Sequence, residues 1–201
     1  PNERAFAAIT ANGSVVTWGE DMHGGGGNST SVSSSISSNV TAVYSTTNAF
    51  AALKKDGSVV AWGSNWEGGV LISQLETGGS TNVSGLLSSN ITAVYSTGGA
   101  FAALKKNGSV VTWGYFGAGG DSSSVAGRLT SNVTAVFSNS SAFAALKKDG
   151  SVVTWGGATS GNSSSVSGAL SSNVTAIFSN RDAFAALKKD GSVVTWGMDS
   201  L

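Results

Sequence analysis

Residues 141–156 read SAFAALKKDGSVVTWG, and close copies of this stretch from its first alanine stand at 5–19, 49–63, 100–114 and 183–197. In the copy at 142–156, two short runs rich in β-branched, aromatic and small apolar residues, AFAAL and SVVTW, flank KKDG. Asp149-Gly150 supplies the positive φ that a tight hairpin turn requires, and Asp56-Gly57, Asn107-Gly108 and Asp190-Gly191 supply it in three other copies. The stretch is a β-hairpin written five times.

Anchored on Phe6, Phe50, Phe101, Phe143 and Phe184, the copies are spaced by 44, 51, 42 and 41 residues, a period of one supersecondary unit per repeat. No apolar stripe of helical period runs through them, and the β-branched runs are bounded by Gly, Asn and Asp, so the units are built of strands. A further strand precedes each hairpin except the first: NVTAVYS from Asn39, NITAVYS from Asn90, NVTAVFS from Asn132 and NVTAIFS from Asn173. Short links such as TTN make it the antiparallel neighbour of AFAAL. PNER, before the first hairpin, is too short and polar for that role, so the first unit is incomplete.

Both faces of the hairpins are apolar. Phe50 and Ala52 alternate with Ala49, Ala51 and Leu53, and Val60 and Trp62 alternate with Val59 and Ala61. A sheet with one wet face would alternate apolar and polar residues, so these sheets must be covered on both sides, as stacked propeller blades are. The intervening Gly/Ser-rich segments keep apolar pairs four apart, Val32/Ile36, Val83/Leu87, Val125/Leu129 and Val166/Leu170, the spacing of one helical turn; an irregular fourth strand is the competing reading. The expected fold is an all-β propeller of about five repeats of 41–51 residues, one domain over 1–201, with the first blade incomplete. The extra residues around SNWEGGVLISQLETGGS in the second repeat are read as a loop.

The stretch VYSTTNAFAALKKDGSVVAWGSNWEGG resembles the repeat of the regulator of chromosome condensation family: Val40 and Val43, Leu53, Asp56-Gly57, Val60, Trp62-Gly63 and Asn65 match its pattern in order. The resemblance covers almost the whole chain and implies a β-propeller; it does not imply the founding member's activity. Similar Ser/Gly-rich versions look like repeats of large surface or secreted proteins.

Eleven basic residues balance eleven acidic ones, so no global field draws nucleic acid, and no run is apolar enough for membrane insertion. Cysteine is absent, which removes disulfides, zinc–thiolate sites and thiol nucleophiles. Ten Asn residues stand in N-x-S/T triplets, the acceptor pattern of secretory proteins, and lean the reading towards an exported protein, secreted or on the cell surface.

His23, the sole histidine, lies beside Glu20 and Asp21 in a glycine loop and is read as a solvated turn, with no metal or cofactor assigned. The lysine pairs Lys54-Lys55, Lys105-Lys106, Lys147-Lys148 and Lys188-Lys189 occupy equivalent turns and form a candidate anion-binding rim, partly cancelled by Asp56, Asp149 and Asp190. Trp18, Trp62, Trp113, Trp155 and Trp196 recur with the hairpin and are assigned to the core between blades, with stacking on sugars as the alternative. Trp66 with Asn65, and Tyr115 with Phe116 one repeat later, stand outside the repeat and are the candidate ligand contacts. The expected function is a non-enzymatic binding or structural module with a protein or glycan partner. The alternatives are a lectin-like propeller and a tile that self-associates through the incomplete first blade.

Overall fold

A computed structural model describes residues 1–21, 24–74 and 79–198. Each repeat folds into one sheet built around an antiparallel hairpin. The first is a two-stranded hairpin of β1 (Ala5–Ile9) and β2 (Val15–Gly19), and the second contains β3 (Val40–Ser45), β4 (Ala49–Lys54) and β5 (Val59–Gly63). The third repeat holds β8 (Ile91–Ser96), β9 (Ala100–Lys105) and β10 (Val110–Gly114), preceded in the chain by β6 (Ile72–Gln74) and β7 (Ser80–Asn82). Then come β11 (Val133–Ser138), β12 (Ala142–Lys147) and β13 (Val152–Gly156), and finally β14 (Val174–Ser179), β15 (Ala183–Lys188) and β16 (Val193–Gly197). The alanine-rich strand is central in every three-stranded unit, and Phe pairs with Trp across each hairpin, as Phe143 does with Trp155.

The Asn-x-Thr that opens each first strand has a geometric cause. Asn39, Asn90, Asn132 and Asn173 take φ between 62° and 64°, a left-handed conformation that asparagine tolerates better than most residues. The register then shifts by one between Val40 and Ala42 and at the three equivalent points. Thr41 bridges the irregularity, its hydroxyl donating to the Leu53 carbonyl at 3.1 Å, as Thr92, Thr134 and Thr175 do in their blades.

Blades stack face to face. The face of one blade carrying Ala49, Ala51, Leu53 and Val59 packs against Ile91, Val94, Phe101, Ala103 and Trp113 of the next, with Val83 and Leu87 wedged between. The same arrangement holds between the first and second, third and fourth, and fourth and fifth blades. The wedges are 3₁₀ turns at Thr30–Val32, Ser84–Leu87, Ser123–Arg128 and Ser164–Val166, so the apolar pairs belong to a helical turn and not to a fourth strand. Each turn is entered through an Asn or Asp: the side-chain oxygens of Asn28, Asn82, Asp121 and Asn162 accept the N–H two residues on. Two backbone rows join the stack. Thr47 donates to Gly98, Gly98 to Ser140 and Ser140 to Arg181, while Val40, Ile91, Val133 and Val174 donate to the hairpin glycines Gly13, Gly57, Gly108 and Gly150 of the preceding blade.

The stack has two uncovered ends. Phe50, Phe101, Phe143 and Phe184 are buried, but their counterpart Phe6 is exposed, and on the last blade Phe178 and Val193 are each 61% exposed. The first and last blades therefore do not cover one another. Trp62, Trp113, Trp155 and Trp196 are buried, whereas Trp18, in the hairpin of β1 and β2, is 50% exposed. No helix among the described residues is long and apolar enough to cross a membrane.

Candidate binding clefts between the second and third blades

The segment after β5 was expected to loop out, and instead it adds to the third sheet. β6 pairs in parallel with β10 at Ser73 and Gly114, and β7 closes an antiparallel hairpin on β6, giving the strand order β7-β6-β10-β9-β8. The apolar, β-branched run VLIS, bounded by Gly69, was the signal for this strand.

The hairpin walls a cleft of about 520 Å³ lined by Asn65, Trp66, Val70, Ile72, Gln74 and Phe116, among others. A second cleft of about 490 Å³ shares Trp66 and adds Glu67, Tyr115, Gly98, Gly99 and Ser141. The structure thus gathers all four candidate contacts around Trp66, which is 68% exposed. Trp66 sits in a tight turn held by the N–H groups of Glu67 and Gly69 donating to the Ser64 carbonyl. The rings of Tyr115 and Phe116 lie 4.7 Å apart, tilted by 54°. Beneath the clefts Asn48 Nδ2 donates to Glu67 Oε1 at 3.1 Å, and Glu67 Oε2, Asn48 Oδ1 and Gln74 Oε1 are buried oxygens without a hydrogen-bond partner among the described residues. An apolar group could stack on the exposed aromatics.

The lysine rim is half structural. Lys54 Nζ donates to the Ser35 carbonyl and Lys147 Nζ to that of Arg128; Lys105 caps Leu86, and Lys188 caps Ala169 and Ser172. These ammonium groups satisfy carbonyls around the ends of the 3₁₀ turns. Lys55, Lys106, Lys148 and Lys189 are exposed, next to Asp56, Asn107, Asp149 and Asp190. The Ser58 hydroxyl and then its amide donate to Asp56 and hold its carboxyl below the ordinary carboxylate range, and Ser151 and Ser192 do the same for Asp149 and Asp190. These acids stay charged beside the exposed lysines.

The core tryptophans are fixed by the preceding blade. Nε1 of Trp62, Trp113 and Trp155 donates at 3.1 Å to the carbonyls of Gly26, Gly68 and Gly119. These glycines lie flat on the Phe ring of the next blade: a Cβ on Gly119, whose φ is 93°, would come within 2.6 Å of Phe143. Trp196 Nε1 has no such partner among the described residues, and the fourth loop has Ser160-Gly161 before Asn162 where the third has Gly119-Gly120 before Asp121. His23 lies outside the described residues, and no metal-binding group of three His, Cys, Asp or Glu occurs among those described.

No family model and no curated protein matches the chain. Solved structures do. The ectodomain of the receptor kinase ACR4 from Arabidopsis thaliana, called a CRINKLY WD40 ectodomain, matches with a TM-score of 0.54 and 12% identity, over 100% of this chain and 68% of that one. Prp20p from Saccharomyces cerevisiae matches with a TM-score of 0.60 and 20% identity over 98% of this chain and 56% of its own; human WBSCR16 gives 0.56 and 18% over 98% and 60%. The fold is a β-propeller. The chain spans between about half and two thirds of the length of its structural neighbours. At these identities the likeness is one of fold.

Proposed function

We propose that this propeller is a non-enzymatic, exported binding module that holds a segment of a protein partner in the clefts around Trp66. The observation that carries the reading is the convergence of Trp66, Tyr115 and Phe116 on adjoining clefts beside an inserted hairpin. Aromatic side chains provide large contact area with few rotors to freeze, and exposed ones in a cleft are the usual anchors of protein recognition. Aliphatic walls at Val70 and Ile72 favour an apolar peptide side chain over a sugar. In fold neighbours the precedent is of the same kind: Prp20p has binding properties towards Gsp1p and histones. The non-enzymatic half of the proposal rests on the absence of any acid–base pair recurring with the repeat.

Selection of a displayed peptide library on the whole chain, run beside a glycan array, tests the reading. Peptides should be enriched whose affinity falls at least tenfold in Trp66→Ala and Tyr115→Ala and is unchanged in Lys55→Ala. Binding confined to glycans would transfer the site to the lectin reading, and binders indifferent to both aromatic changes would overturn it. For export, the support is weaker than the triplet count suggests, since the Asn of each N-x-S/T also serves a turn or bulge, and Asn139 is buried, its side chain accepting from Ser141 and Ala142. A mobility shift of the natively expressed protein on treatment with an N-glycosidase is the direct test; no shift removes the support that the triplets lend to export.

A further inference from the structure

We propose that the two clefts take one extended segment of the partner protein, which straddles Trp66 and carries an apolar side chain and a lysine or arginine two residues apart. The inference rests on the reading of these clefts as a protein-binding site and adds the chemistry of the segment. Trp66 lines both clefts, Phe116 lines the first and Tyr115 the second, and the rings of Tyr115 and Phe116 touch at 4.7 Å. An aromatic ridge thus separates the clefts. Two side chains resting on opposite faces of an indole stand about 7 Å apart, twice the van der Waals contact distance of about 3.5 Å. On an extended chain that rises about 3.3 Å per residue, side chains i and i+2 point the same way at very nearly that separation. One strand-like segment therefore fills both clefts at once.

The linings differ, and so do the side chains that suit them. Val70, Ile72 and Phe116 make the first cleft apolar. The second is lined by Glu67, Tyr115, Ser140 and the glycines Gly98 and Gly99. The Glu67 carboxyl receives a single neutral donor, Asn48 Nδ2, among the described residues, so its charge is left uncompensated. Its free oxygen is covered; a cation in the cleft is drawn by the charge at a distance and not by contact, and the partly apolar surroundings lengthen that reach. The Ser140 hydroxyl donates at 3.4 Å to Asp182, a second acid beside this cleft, while Arg181, whose carbonyl accepts from the Ser140 N–H, is the one base beside them. The wider distribution has the same sign. Every lysine of the chain stands at a hairpin turn, at the end of the strands away from the clefts. The loops at the cleft end hold Glu3, Glu20, Asp21, Glu67 and Asp182 against Arg4 and Arg181, and Arg4 is already paired with Glu20 at 3.2 Å. The neutral total thus divides into a basic turn end and an acidic cleft end, and the exposed faces of Trp66 and Tyr115 add the attraction of aromatic rings for a cation.

The test selects a displayed library of random peptides on the whole chain at low salt and synthesises the enriched sequences. Enrichment of an apolar residue with Lys or Arg two positions away is expected. Binding should weaken at least tenfold when that spacing changes by one residue, or when the basic residue gives way to a neutral one of like shape, citrulline for Arg or norleucine for Lys. Glu67→Gln keeps the oxygen that accepts from Asn48; it should weaken the basic peptide several-fold and shrink the penalty of the neutral replacement, the mark of a direct coupling. Affinity for the basic peptide should also fall between about 0.01 M and 0.15 M salt, as the Debye length shortens from about 30 Å to about 8 Å, and that for the neutral peptide should not. Peptides that need Trp66 but share no such spacing, or whose binding ignores both the neutral replacement and Glu67→Gln, would overturn this inference and leave the binding site standing. Peptides indifferent to Trp66→Ala, or no enrichment at all, would overturn both.

Discussion

At the scale of single residues, the Phe/Trp pair and the glycine that covers it set the stability of each blade. Phe101 and Trp113 stack with centroids 5.1 Å apart, are fully buried, and Trp113 donates to Gly68. Phe6 and Trp18 stack in the same way, at 5.4 Å, with half their surface in solvent. Removing a large buried aromatic costs about 3–5 kcal/mol, through lost transfer energy and the cavity left behind. Trp113→Ala should therefore destabilise the protein by about that amount, and Trp18→Ala by about 1 kcal/mol or less, since half-exposed surface has less to lose. Urea denaturation of both variants checks this; equal losses would mean that the first blade is covered after all. The same contrast marks a limit on reading the sequence. Five tryptophans in identical local sequence look equivalent, and only the number of neighbouring blades separates Trp18 from the rest.

Among the elements, the hairpin turns and the Asn-x-Thr strand openings were legible because each demands particular residues. Asp-Gly and Asn-Gly predict the turns, and the glycines there take φ of 78° to 85°. In the N-x-S/T triplets asparagine also serves backbone geometry or supplies a side-chain oxygen, a role that Asp56 and Asp121 fill in other turns. The turns carry a pH signature. A carboxyl held below its ordinary value contributes stability that is present above that value, about pH 4, and is lost as pH falls through the lower folded one. Asp56, Asp149 and Asp190 all behave so, whereas Asn107 makes the same bonds to Ser109 without titrating. The triple variant Asp56→Asn, Asp149→Asn, Asp190→Asn should therefore show a shallower fall in melting temperature between about pH 4 and pH 2 than the parent. Parallel curves would remove the turns from the acid response. The β6-β7 hairpin was the element that sequence reading lost: three-residue strands carry little periodicity, and the parallel pairing with β10 is a long-range contact that no local pattern announces.

For the whole molecule, apolar residues on both faces of every strand required sheets covered on both sides, and the stack of blades is that solution. What the pattern did not disclose is where the stack stops being covered, because each repeat is locally satisfied by whatever neighbour it meets. A molecule held together by nearest-neighbour interfaces should lose stability towards its ends, as repeat arrays do. The middle blades have covered partners on both sides; the end blades have one each. Native-state hydrogen exchange measured strand by strand tests this most directly. The amides of β9 and β12 should exchange slowest, with β1, β2 and β16 faster by at least tenfold. Protection that is uniform along the chain, or greatest in β1 and β16, would contradict a stack of face-to-face blades with two open ends.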